Sequence, residues 1–125
     1  MPAADIANLT PARLTRRADF LACSRAPWRA KPSVVVQLRE RGDTADILGG
    51  PRLGFTASKK VGNAVARNRS KRRLREAARE VLYPVAKPGF DYVLIARPQT
   101  VSVDYTRLLD DLQAALQRLH APSKA

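Results

Sequence analysis

The chain has 125 residues, with 23 Lys and Arg against 11 Asp and Glu, one His, one Cys and a formal net charge of +12. That length suits one domain whose core needs no disulfide or metal staple, expected over residues 1–125 with loosely ordered ends at about 1–12 and 120–125. The charge makes polyanions the expected partners, with salt-sensitive binding; no segment approaches the roughly 20 apolar residues of a membrane helix, and no wide apolar helical face or lipid anchor points to a membrane surface.

The N-terminal stretch from Met1 to Leu14 lacks a basic start followed by an apolar signal core, so a cytoplasmic location is expected. Thr15 is a plausible N-cap for a short helix through Cys23, stopped by Pro27. Its apolar residues are Ala18, Leu21 and Ala22, with Phe20 on a neighbouring side. Cys23 has no second cysteine to pair with and no Cys or His at ligand spacing, and reads as a small buried thiol.

Ser33 to Arg39 is β-branched and reads as a strand, and Arg41 to Pro51, rich in glycine, as a loop. A second strand follows over Arg52 to Ser58. Strand alternation sends Leu53, Phe55 and Ala57 to the core and Gly54, Thr56 and Ser58 to a shallow opposite surface.

Lys59 to Arg75 then places eight of the 23 basic residues in seventeen positions, with no acid among them. Asn63 is a reasonable N-cap for a helix to about Leu82. At about 100° per residue, Ala66, Ser70, Leu74, Ala77 and Val81 fall within about 80° of one another as a packing stripe. Asn68, Arg69, Lys71, Arg72, Arg75 and Arg79 lie on the opposite half, flanked by Arg67 and Arg73.

Pro84 and Pro88-Gly89 end that helix. Phe90 to Arg97 is apolar enough for a central strand, closed by Pro98, and Asp104 to Leu119 is an amphipathic helix. The expected fold class is α+β: a small sheet of three to four strands in the order α-β-β-α-β-α, with helices packed mainly on one face.

Catalysis by side chains needs a nucleophile, a base and an electrophile in mutual reach. There is no Ser/His/Asp arrangement, no metal-ligand cluster and no phosphate loop of the right spacing, and Asp110 and Asp111 diverge on a helix. No catalytic residue and no metal ligand is therefore assigned. A basic helix is often only a solvated face. Here like charges recur at helical spacing, as in Arg69 with Arg72, Lys71 with Arg75 and Arg75 with Arg79, and each pair repels by a few tenths of a kcal/mol. A polyanion would relieve that repulsion.

DNA is not the expected partner, because a strand precedes the basic helix where a helix-turn-helix would need another helix. RNA recognition adds stacking of unpaired bases on aromatic rings. Phe20 is a candidate platform or simply core; Trp28 could stack or serve as a packing lid.

The run from Arg52 to Glu80 resembles the signature of the bacterial ribonuclease P protein subunit, above all in Gly62-Asn63-Ala64-Val65, Arg67-Asn68-Arg69 and Lys71-Arg72-Arg73-Leu74-Arg75. Arg13-Leu14, Asp19-Phe20 and Asp91 through Pro98 agree with it, in the family's order. The resemblance implies a cofactor of a catalytic RNA, the two forming an endoribonuclease that removes the 5′ leader from precursor tRNA. Hydrolysis would belong to the RNA, with Mg²⁺ held mainly by RNA and substrate.

Carried over by position, Arg67, Asn68, Arg69, Lys71, Arg72 and Arg75, with Lys59 and Lys60, are the expected contacts to the catalytic RNA. Phe20, with Arg16, Val36, Thr56 and Ser58, is the expected cleft for the leader. Two positions depart from the pattern: Ser24 stands where many members have a second aromatic, and Val36 where some have Tyr. The resemblance also implies a left-handed β-α-β crossover between the second and third expected strands. On residues alone, a general RNA-binding module and an autonomous metal-dependent nuclease remain as other readings.

Overall fold

The computed structural model describes residues 11–41 and 50–121. Five strands form one sheet: β1 (Ala12–Arg13), β2 (Trp28–Lys31), β3 (Val34–Glu40), β4 (Arg52–Thr56) and β5 (Phe90–Ala96), in spatial order β1-β4-β5-β3-β2. The helices are α1 (Arg17–Ser24), α2 (Ala64–Val81) and α3 (Tyr105–His120). Short 3₁₀ turns occupy Lys59–Val61, Tyr83–Val85 and Pro98–Val101.

The α+β architecture and the order of the main elements match the expectation, with boundaries moved by one or two residues. The sheet has two strands more than the three read directly from the sequence. Two-residue β1 runs parallel to β4, and β2 pairs antiparallel with β3 through a tight turn at Pro32-Ser33. Both are short edge strands with mostly exposed side chains, so neither carries an alternating apolar signal. Of the expected loose ends, Ala12 pairs with Arg52 and His120 closes α3; residues 1–10 and 122–125 lie outside the described residues, as do 42–49 of the expected loop.

β5 is central, parallel to β4 and antiparallel to β3. The β4–β5 connection runs through α2, so the basic helix is itself the crossover. Helices α2 and α3 cover one face, where Leu74, Ala77, Ala78, Leu108, Leu112, Ala115 and Leu116 pack on Val34, Val36, Leu38, Leu53, Tyr92 and Leu94. On the other face lies α1, over a smaller cluster of Leu14, Cys23 and Val93 joined by Phe20 and Ile95.

Helix α1 begins one residue later than expected. Its N-cap is Arg16, without a side-chain capping bond, rather than Thr15. Its packed side is also different: Phe20 and Cys23 turn inward while Leu21 stays 46% exposed. Asp19 fixes that rotation, lying 3.5 Å from both Arg39 and Arg52. Cys23 is a fully buried thiol; burial, with Asp91 adding to it, pushes its pKa up to about 11, so it stays protonated and inert.

Among the described residues every buried polar side-chain atom has a hydrogen-bond partner. Asp111 accepts from the Ser33 N–H at 3.2 Å and the Ser33 hydroxyl at 2.7 Å, tying α3 to the β2–β3 turn. Burial pushes Tyr92 up to about 12, and its hydroxyl accepts from the Lys87 N–H at 3.0 Å. His120 is held below its ordinary value, first by burial and then by Lys87, and its Nε2 shares a hydrogen bond of 2.8 Å with the Tyr92 hydroxyl.

Candidate nucleic-acid interface

The route into α2 is built from small polar caps. Ser58 accepts from the Lys60 N–H at 3.3 Å and starts the 3₁₀ turn, leaving Lys59 and Lys60 exposed at the approach to the helix. Gly62 follows with φ of +141°, a conformation that favours glycine. Asn63 then caps α2, its Oδ1 accepting from the Ala66 N–H at 2.9 Å. The helix thus starts with its positive dipole end beside two lysines.

Inside α2, Ser70, Leu74, Ala77 and Ala78 are buried, and the Ser70 hydroxyl donates to the Arg67 carbonyl at 2.8 Å. Asn68, Arg69, Arg72 and Arg79 are exposed, while Arg67, Lys71 and Arg75 are half-buried. Arg75 places its guanidinium 5.9 Å from the centre of the Phe55 ring, a cation–π contact. On the other flank Asn68, Arg69 and Arg72 border an open groove of about 750 Å³ between α2 and residues 101–105.

Arg73 has a different task. Its guanidinium donates to the carbonyls of Thr100 and Val101 at 2.9 Å each and of Val103 at 2.5 Å, bolting α2 to the segment after β5. Every ion pair among the described residues gathers instead around Asp19 and Asp91 on the α1 side. The outward cations of α2 therefore have no carboxylate partner among the described residues.

The second surface is the α1 face of the sheet. Directly paired residues share a face, so Arg52, Gly54 and Thr56 of β4 lie with Asp91, Val93 and Ile95 of β5 and with Val35, Gln37 and Arg39 of β3. Phe20 sits on Gly54: a Cβ there would come within 2.5 Å of Phe20 Cε1 and 2.7 Å of Cζ. Half-buried Val35, Gln37, Thr56 and Ile95 continue the surface beyond the helix.

At the junction of α1 and the sheet, Asp91 is wholly buried and receives three arginines. Arg52 grips it with Nε and Nη2, each at 2.8 Å, Arg41 Nη1 lies at 2.7 Å and Arg39 Nη1 at 3.3 Å. Burial alone would raise this carboxyl, but hydrogen bonds from Arg52 and Arg41 outweigh it and hold the pKa below its ordinary value.

A family model, Ribonuclease P, matches residues 10–120. The chain belongs to the ribonuclease P protein family. A ribonuclease P protein component from Ruegeria pomeroyi is 57% identical over 110 residues, covering 87% of this chain and 86% of that protein. One from Caulobacter vibrioides is 50% identical over 109 residues, covering 87% and 71%. The solved ribonuclease P protein of Thermotoga maritima has a TM-score of 0.70 at 31% identity, covering 87% of this chain and 98% of that one. That of Staphylococcus aureus has a TM-score of 0.69 at 27% identity, covering 89% and 97%.

On the ribonuclease P fold the residues singled out from sequence separate into two groups. Lys59, Lys60, Arg67, Asn68, Arg69, Lys71, Arg72 and Arg75 all lie on the turn before α2 or on α2 itself. Phe20 and Thr56 share the α1 face, with Arg16 at the start of α1 and Ser58 just past β4, both exposed. Val36 does not belong to that cleft. It is fully buried in the α2–α3 core, on the opposite face of the sheet.

The β3 residues that do face α1 are Val35, Gln37 and Arg39. The run Val34-Val35-Val36 hides the phase of the strand, but Gln37 and Arg39 on one parity and Leu38 on the other would have revealed it. Among the described residues no three His, Cys, Asp or Glu side chains gather as metal ligands. The two buried carboxylates are already engaged, Asp91 by arginines and Asp111 by Ser33.

Proposed function

We propose that this chain is the protein subunit of ribonuclease P, docking on the catalytic RNA through α2 and receiving the single-stranded 5′ leader of precursor tRNA on the α1 face of the sheet. The RNA carries the hydrolysis and, with the substrate, holds Mg²⁺. The observation that supports this most directly is the outward row of α2 cations without carboxylate partners among the described residues, lying on the segment that bears the family signature. Arg67, Asn68, Arg69, Lys71, Arg72 and Arg75 grip phosphates, aided by Lys59 and Lys60. Phe20 meets an unpaired base with the exposed part of its half-buried ring, with Arg16, Thr56 and Ser58 at the margin.

The test is cleavage of precursor tRNA by a bacterial ribonuclease P RNA at low Mg²⁺, with and without the protein. Acceleration and tighter binding of precursor than of mature tRNA are expected. An RNA active alone at high Mg²⁺ yet indifferent to the protein would leave only a general RNA-binding module.

Gly54→Ala tests the cleft without touching a candidate contact. The added methyl displaces Phe20 from its seat at a cost of about 1–3 kcal/mol of stability. Precursor affinity should fall toward that of Phe20→Ala while affinity for the catalytic RNA holds. Parallel losses in both affinities, measured by filter binding, would place Phe20 outside the leader site.

A further inference from the structure

Trp28 is the only tryptophan of the chain, stands on the edge strand β2, and is 55% exposed. Its pairing opposite Gln37 places it on the α1 face. The pairings continue from Gln37 to Val93 and from Val93 to Gly54, the seat of Phe20. Trp28 and Gly54 thus end one row across four strands, about 14 Å apart at ordinary strand spacing.

The platform is held firmly. The Leu38 N–H donates to the Pro27 carbonyl at 2.9 Å, and the Ala26 N–H to the Cys23 carbonyl at 3.1 Å, fixing the turn from α1 into β2. Arg25 and Arg29 line the same open concavity as Trp28; Arg29 is rooted on the other face, opposite Val36, and its guanidinium returns along the sheet edge to donate to the Trp28 carbonyl at 3.0 Å. Neither arginine has a carboxylate partner among the described residues. A large rigid ring beside two such cations matches a base with its flanking phosphates. An aliphatic protein surface would leave both charges unanswered.

We propose that Trp28 stacks on an unpaired nucleotide of the 5′ leader, different from the nucleotide that meets Phe20, with Arg25 and Arg29 holding the adjoining phosphates. This rests on the leader reading of the α1 face and extends it to the sheet edge. The extension supplies an aromatic surface in a chain that has Ser24 one turn after Phe20.

The test uses the assembled holoenzyme and the fluorescence of this single tryptophan. Leader-bearing precursor should quench Trp28, and mature tRNA should not. Trp28→Ala should weaken precursor binding roughly tenfold, with Trp28→Phe restoring most of it. Quenching by the catalytic RNA alone, before substrate is added, would overturn the proposal by assigning the ring to the RNA subunit. So would an unquenched Trp28 with Trp28→Ala binding precursor normally while Phe20→Ala binds it weakly, an outcome that leaves the leader reading intact. If the parent holoenzyme bound precursor and mature tRNA equally, the leader reading itself would fail, and this extension with it.

Discussion

Replacing Asp91 with Ala is expected to cost about 3–5 kcal/mol of folding stability, the range for removing one partner of a buried ion pair. Against a typical total of about 5–15 kcal/mol, that leaves the variant close to unfolding at physiological temperature. Asp91 stands in the central strand directly opposite Arg39 on one side and Arg52 on the other, and Arg41 closes over its free edge at 2.7 Å. Without the carboxylate, three guanidinium groups converge on a buried position that has lost its negative charge, and Asp19 lies 3.5 Å from two of them. Urea denaturation measures the change. A loss below about 1 kcal/mol would mean that these arginines find other partners when Asp91 is gone.

Acid should reveal the same group. Asp91 is held below its ordinary value of 3.8, so its stabilisation is complete above that pH and disappears as the pH falls through the lower folded value. His120 acts earlier. It is depressed from 6.5, so the fold favours its neutral form and stability begins to decline as the pH drops below 6.5. His120→Gln should flatten the first decline and Asp91→Asn the second in pH-dependent melting curves.

The second large effect belongs to the exposed arginines of α2. Arg69→Ala with Arg72→Ala should weaken holoenzyme assembly by about 10²-fold or more, because each change removes a charge-assisted contact worth about 1.5–3 kcal/mol. It should also lower the slope of log affinity against log salt by about 1.5–2, the counterion release of two phosphate contacts. Stability should hardly change, since both side chains point away from the core. Arg73→Ala should do the reverse, since three carbonyls of the segment after β5 lose their donor. Titrating labelled catalytic RNA at several salt concentrations, alongside denaturation, separates the two behaviours. An unchanged salt slope in the double variant would move the RNA contact to another face.

How far the sequence reveals this molecule depends on how local each feature is. The helix α2 is legible because its cap, packing stripe and charge all lie within one continuous segment. The same holds for α3, whose buried Leu108, Leu112, Ala115 and Leu116 keep helical spacing. Strand β2 is not legible, because Trp28–Lys31 lies between two prolines and pairs only through the following turn.

The cleft was harder still. Which side of α1 turns inward depends on Gly54 and on two arginines from separate strands, none of them near the helix in sequence. The cluster at Asp91 joins residues 39 to 52 positions apart, beyond the reach of any local pattern. The charge comb on α2 needs no such pairing to be seen. Family resemblance gives Phe20 by position, while the facing of Val36 follows from the parity of its neighbours Gln37, Leu38 and Arg39, which the strand register makes explicit.

The crossover that joins the two parallel central strands is the same eighteen-residue helix that displays the cations. Inheritance therefore reads α2 by angle rather than by position. Mutations at Leu74, Ala77 or Ala78 are judged by whether the sheet still closes, and, on the docking proposed above, mutations one step around the axis, at Arg69 or Arg72, by whether an RNA still recognises the surface. A lineage whose RNA drifts can adjust its protein along one side of a single helix while the architecture behind it stays constant.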